Sequence, residues 1–155
     1  MRFGDIPEEA DGTGQEPAER LCAQLAMELE DGSGLRLRVR TELRYRADDP
    51  LAVRLTFHLP GDQPVNWTIA RDLLLDGMGA PAGEGDVHVR PHPGEPDAVQ
   101  LLLHAPGGSA SISVGLAPLH AVLLRTDLMV PFGAELTEGQ LERGLAELLA
   151  EAGRD

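Results

Sequence analysis

The 155-residue chain carries a formal net charge of −13, and all 13 of its basic residues are arginine. The missing lysine excludes P-loop enzymes, which place that side chain on a phosphate, and Schiff-base enzymes of the pyridoxal-phosphate or aldolase kind. Cys22 stands alone, which excludes an internal disulfide and a zinc site built on several thiolates, and the acidic excess opposes phosphate polymers and anionic lipid wherever positive charge is not concentrated.

The length fits one domain with one core. No stretch reads as a signal peptide or a bilayer span, so a soluble, cytoplasmic α+β protein is expected. Residues 1–19 carry Asp5, Glu8, Glu9, Asp11, Glu16 and Glu19 among few large apolar groups. Burial there is too small to offset the entropy of ordering the segment, so a disordered acidic tail is expected ahead of a domain spanning 20–155.

Leu21, Ala23, Leu25, Met27 and Leu29 share one parity, with Gln24, Glu28 and Glu30 on the other, which predicts a half-buried strand. After Gly32-Ser33-Gly34 the alternation resumes through Leu35, Leu37, Val39, Leu43 and Tyr45, with arginines between. A three-residue loop joining the two strands sets Leu29 against Leu37 and Met27 against Val39, and on the wet face Glu30 beside Arg36 and Glu28 beside Arg38. Asp48-Asp49-Pro50 turns the chain into a third strand, Leu51 to Leu59. A short strand from Val65 to Trp67 is expected next, then a helix from Thr68 to Asp76 stopped by Gly77.

Gly77 to Gly85 reads as a flexible connector. Strands over Val87–His92, Val99–His104 and Ser109–Val114 follow, then a helix from Pro118 to Leu128, so the second half repeats the first half's plan of consecutive antiparallel strands closed by a helix, a doubled ββββα plan in which three strands of the second half are readable. Near the end, Thr137 and Gln140 form a capping box and Leu136 and Leu141 a hydrophobic staple, a cap that contributes ~1 kcal/mol. Leu141, Leu145, Leu148 and Leu149 then give the C-terminal helix one apolar stripe for docking onto its own sheet or a neighbouring subunit.

Leu43-Arg44-Tyr45, Asp49-Pro50-Leu51-Ala52-Val53 and Thr56-Phe57-His58 resemble the SsgA-like regulators of sporulation-specific cell division. The likeness continues through Trp67-Thr68-Ile69-Ala70-Arg71-Asp72-Leu73-Leu74 and Gly83-Glu84-Gly85-Asp86-Val87-His88-Val89. Leu124-Arg125-Thr126-Asp127 and Val130-Pro131-Phe132-Gly133-Ala134-Glu135 carry it to the end of the domain. The resemblance implies two antiparallel β-sheets with helices in a Whirly-like fold, assembled as a homotrimer. It also implies a non-catalytic scaffold that binds the division protein FtsZ or other SsgA-like proteins at the septum, with no cofactor.

Among residues that could carry chemistry, Ser113, His120 and Asp127 suggest a triad, but Ser111-Ile112-Ser113-Val114-Gly115 lacks the leading glycine of a nucleophile elbow. His58, His88, His92 and His104 fall on wet strand faces without metal-ligand spacing, so solvated histidines and no metal are expected. Arg36, Arg38, Arg40, Arg44 and Arg46 form a stripe of the kind that holds single-stranded nucleic acid, yet aromatic platforms are lacking and Glu28, Glu30 and Glu42 lie among them. Exposed ion pairs are therefore the expectation there. Trp67 is expected in the core, Asp72 at a helix N-terminus, Arg71 in an ion pair with a residue such as Asp127, and Gly133 in a turn needing positive φ. With Arg125 from the resemblance, these make the candidate partner-binding or structural set.

Overall fold

The computed structural model describes residues 19–135, together with 146, 149 and 150. The acidic segment before Glu19 and, apart from those three positions, the expected C-terminal helix with its capping box lie outside the described residues. Period-two alternation makes β1 (Arg20–Glu30) and β2 (Arg36–Arg46), which pair antiparallel along their full lengths. The register is the one the alternation predicts: Met27 faces Val39, Leu29 faces Leu37, Glu28 faces Arg38 and Glu30 faces Arg36. Asp31 closes the hairpin, its carboxylate accepting from the Ser33 amide at 2.9 Å, the Ser33 hydroxyl at 2.7 Å and the Leu35 amide at 3.0 Å. Gly34 takes the left-handed φ of +91° that this tight return requires.

β3 (Ala52–His58) pairs with β2, and β4 (Val65–Ala70) with β3. α1 (Arg71–Gly79) follows without a break. The expected helix from Thr68 thus starts three positions late, because Thr68, Ile69 and Ala70 stay in the ladder opposite Arg54, Val53 and Ala52, and Ile69 is buried there.

The expected flexible connector is also corrected. Gly77 and Gly79 belong to α1, and Ala82–Glu84 form a short strand, β5, paired with β6 (Val87–Pro91). Gly77 lies where α1 crosses β6; a Cβ there would sit 2.2 Å from Val89 Cγ1, so only glycine lets helix and strand approach this closely. β7 (Ala98–Ala105), β8 (Gly108–Gly115) and α2 (Leu116–Met129) complete the order.

All eight strands belong to one antiparallel sheet, in the order β4-β3-β2-β1-β8-β7-β6-β5, where two sheets were expected. The seam is β1. Its last four residues, Met27–Glu30, pair with Val114–Ser111 of β8 while the whole strand pairs with β2. Leu74 of α1 and Leu119, Val122 and Leu123 of α2 join the strand residues Leu43, Val53, Val89, Leu101 and Val114 in a single core. Both helices therefore cover one face of a curled sheet, and the other face carries the polar parity. Burial of a large apolar side chain of this kind contributes about 1.5–3 kcal/mol, so the core sets the fold.

Candidate functional site

The sequence places an arginine at the first position of α1, directly after β4, and there the backbone amide of Arg71 donates to Leu51 O at 2.8 Å. This anchoring turns the guanidinium inward, and Arg71 is fully buried. Nη1 donates to Val130 O at 2.7 Å and to Thr126 O and Oγ1, both at 3.2 Å. Nη2 donates to Glu135 Oε2 at 2.6 Å and to Pro131 O at 3.4 Å. The guanidinium carbon lies 4.7 Å from the centre of the Phe132 ring and 5.1 Å from that of Tyr45. Cation–π attraction is strongest where water is excluded, as here.

Arg71 thereby ties the start of α1 to the end of α2 and to the segment 130–135 that follows. Glu135, itself buried, is the matching anion. Burial pushes its carboxyl up, but the Arg71 hydrogen bond and the backbone amides of Glu135 and Gly133 outweigh burial and hold it below the ordinary value. The expected partner Asp127 does something else: its carboxylate accepts the Phe132 amide at 2.8 Å, closing the C-terminal end of α2. Gly133 has the predicted positive φ, +87°, in a turn closed by Ala134 N donating to Pro131 O at 2.9 Å. Trp67 is half-buried at the margin of the core, and Ile69 takes the interior position instead. Asp72 sits exposed in the first turn of α1, and Arg125 is exposed on α2.

A second polar cluster lies on the open face of the sheet. Glu30 accepts from or pairs with Arg36 at 2.9 Å and His92 at 3.1 Å, and Gln100 and Ser111 each approach it at 3.4 Å. Burial raises the Glu30 carboxyl, but His92, Gln100 and Arg36 together bring it below its usual value. His92 is nine-tenths buried here, which corrects the expectation of a solvated histidine; His88 and His58 are half-buried and His104 is exposed. Glu30, His92 and Glu95 are close enough to share a cation, but Arg36 bonds both carboxylates and already supplies the positive charge.

Along the arginine stripe the expected ion pairs form only in part. Arg36 reaches Glu28 at 3.2 Å as well as Glu30 and Glu95, and Arg44 stands 3.8 Å from Glu42. Arg38 and Arg40 have no carboxylate within ion-pair distance among the described residues. Tyr45 is buried beneath the stripe, so the aromatic platforms of a single-strand binder are not on that face.

The imagined triad does not assemble. Ser113 is buried on the polar parity of β8, whereas α2, carrying an exposed His120 and an Asp127 engaged with Phe132, packs on the opposite face. Ser113 does line a groove of about 400 Å³ with Glu28, Arg38 and Asp97, which contains no histidine. Cys22 is chemically quiet: burial and the neighbouring Glu42 push its thiol up to about 11.

Sequence reasoning missed Glu135, Tyr45 and Phe132 as members of the Arg71 hub. The signal was present in Gly133, whose turn carries Glu135 back toward α1.

Fold and sites together define a single-domain α+β protein in which an antiparallel curled sheet is braced by an internal arginine hub. The sequence model of the family described as Streptomyces sporulation and cell division protein, SsgA, matches residues 39–135, which contain the whole hub. The sporulation-specific cell division protein SsgB of Streptomyces coelicolor is 38% identical over 133 residues, covering 85% of this chain and 97% of that protein. SsgB of Kineococcus radiotolerans is 39% identical over 129 residues, 81% of this chain and 78% of that protein. Among solved structures, one of SsgB, concerned with mutations that correlate to longitudinal cell division during sporulation of Streptomyces coelicolor, has a TM-score of 0.74 at 36% identity, covering 79% of this chain and 97% of that one. The SsgA-like sporulation-specific cell division protein of Thermobifida fusca has a TM-score of 0.71 at 30% identity, covering 90% and 98%. The chain belongs to the SsgA-like family of sporulation and cell division proteins.

Proposed function

We propose that the chain is a non-catalytic regulator of sporulation-specific cell division, a scaffold that binds an FtsZ-type division protein or other SsgA-like proteins at the septum. The observation that carries this reading is the Arg71 hub, contained entirely in the family-matched segment. It uses the buried charges of Arg71 and Glu135 to fix the mutual placement of α1, α2 and the segment after α2. Charges used in this way hold a surface in shape and face no substrate. Among the described residues no helix is long and apolar enough to cross a membrane. The same reading takes the protein to act in the cytoplasm as a Whirly-like homotrimer, as the resemblance implies.

Light scattering of the purified chain alone and mixed with FtsZ tests assembly and partnership together. A trimer that gains mass with FtsZ, and septal foci of a fluorescent fusion in sporulating cells, are expected. A chain that leaves FtsZ unchanged and spreads evenly through those cells would remove the reading.

A further inference from the structure

The β1–β2 hairpin projects past its neighbour on one side. The β2–β3 ladder ends at Arg40 opposite His58, so residues 36–39 of β2 have no β3 partner and, among the described residues, form an open sheet edge. Asp31 N donates to Leu35 O at 3.1 Å, and antiparallel pairs alternate between facing inward and outward. The main-chain groups of Leu35, Leu37 and Val39 therefore face β1, and those of Arg36 and Arg38 face the open side. Leu35 and Leu37 are 67% and 44% exposed on one face of this edge. On the other face stand Arg38 and Arg40, exposed and without a carboxylate partner among the described residues.

An exposed strand edge with apolar side chains is a template for an added strand. A second copy of the same edge is a poor occupant, because antiparallel self-pairing centred on Arg38 sets Arg38 against itself and brings Arg36 to Arg40, whose outward side already pairs with His58, and like charges directly opposite are destabilising. Nucleic acid is disfavoured by the missing aromatic platforms and by the net charge of −13. We propose that Leu35 and residues 36–39 of β2 take an added strand from a protein partner in which carboxylates alternate with apolar side chains. Its carboxylates meet Arg38 and Arg40, its apolar residues cover Leu35 and Leu37, and its backbone pairs with Arg36 and Arg38.

This inference rests on the division-protein reading and names the chemistry of the segment it binds. The test uses the full chain and a fluorescent peptide in which Glu and Val alternate, followed by anisotropy at low and high salt, with a Lys-for-Glu peptide as control. Salt-sensitive binding of the acidic peptide alone is expected. Arg38→Ala should weaken it roughly fivefold, the upper end for an exposed ion pair. Arg38→Pro should abolish it, since proline removes the outward N–H while leaving the β1 ladder intact; circular dichroism confirms that this variant is folded. Equal binding of both peptides, unchanged binding by folded Arg38→Pro, or displacement of the peptide by a single-stranded oligonucleotide would overturn the assignment. Septal foci separate the two readings: their absence with the unaltered chain defeats the division role, whereas the peptide result alone decides the edge.

Discussion

Arg71 and Glu135, 64 positions apart in the chain, meet at 2.6 Å with the guanidinium fully buried and the carboxylate nearly so. Their pairing closes a loop of structure that runs through β5–β8 and α2, so one contact reports on the docking of both helices. A buried pair is weak evidence for stability in itself, because desolvation of two charges offsets much of their attraction. Removing one partner is different, since the survivor is left buried and uncompensated.

Arg71→Ala is therefore expected to destabilise the protein by about 3–5 kcal/mol, while Glu135→Gln, which keeps a hydrogen-bond acceptor, costs less. The double variant Arg71→Met with Glu135→Leu should recover part of the loss, because neither charge remains inside. Urea unfolding of the unaltered chain, Arg71→Met, Glu135→Leu and the double variant forms a double-mutant cycle. Additive losses would show that the two side chains do not act as a pair.

The same pair sets a pH dependence. Glu135 titrates below its ordinary value of 4.5 in the folded protein. Unfolded chains then bind more protons on the acid side, so the contribution is complete above the ordinary carboxylate value and is lost as pH falls through the lower, folded value. The urea midpoint should fall as pH drops below about 4.5, and Glu135→Gln should show a shallower decline because glutamine takes up no proton. Parallel profiles for the two proteins would mean that other carboxylates, Glu30 among them, account for the acid sensitivity.

Gly77 offers a prediction whose sign is decided by magnitude. In an exposed helix Gly→Ala gains about 1 kcal/mol from propensity. Here the new Cβ would lie 2.2 Å from Val89 Cγ1 and 2.8 Å from the Val89 carbonyl oxygen, and the backbone atom cannot yield as a side chain can. Overpacking of this kind costs about 1–3 kcal/mol, so Gly77→Ala should lower the melting temperature. Gly79→Ala, two residues on with open space around it, is the matched control and should be neutral or stabilising.

Strand pairing was legible wherever alternation was clean. The β1–β2 register follows from parity and the three-residue loop together, because a slip by one residue would turn the apolar set of one strand, Met27 or Val39 included, to solvent. The β4–α1 boundary was not legible: Thr68, Ile69 and Ala70 suit either state locally, and only the ladder to β3 decides. Joining of the halves into one sheet was equally hidden, since it depends on four residues of β1 serving two neighbours at once. At the hub, Arg71 and Gly133 could be read as special, but Asp127 and Glu135 are both acids near the end of α2. Spacing does not say which one a buried guanidinium meets.

Gly133 links the hub to binding. Its φ of +87° is disfavoured for any residue with a Cβ, yet among the described residues no atom lies within 4 Å of where that Cβ would stand. Gly133→Val should therefore cost about 1–3 kcal/mol through backbone strain, with no clash. Gly133→Asn, which tolerates the left-handed region, should cost less. Relief of the strain moves Phe132 and Glu135 away from Arg71 while the sheet keeps its core, so the amide protons near the end of α2 should exchange faster than those of β2 and β3. If the segment after α2 takes part in partner binding, FtsZ association measured by light scattering should weaken in Gly133→Val and be largely restored in Gly133→Asn. Equal exchange protection in both variants and the unaltered chain would show that the turn does not hold the hub together.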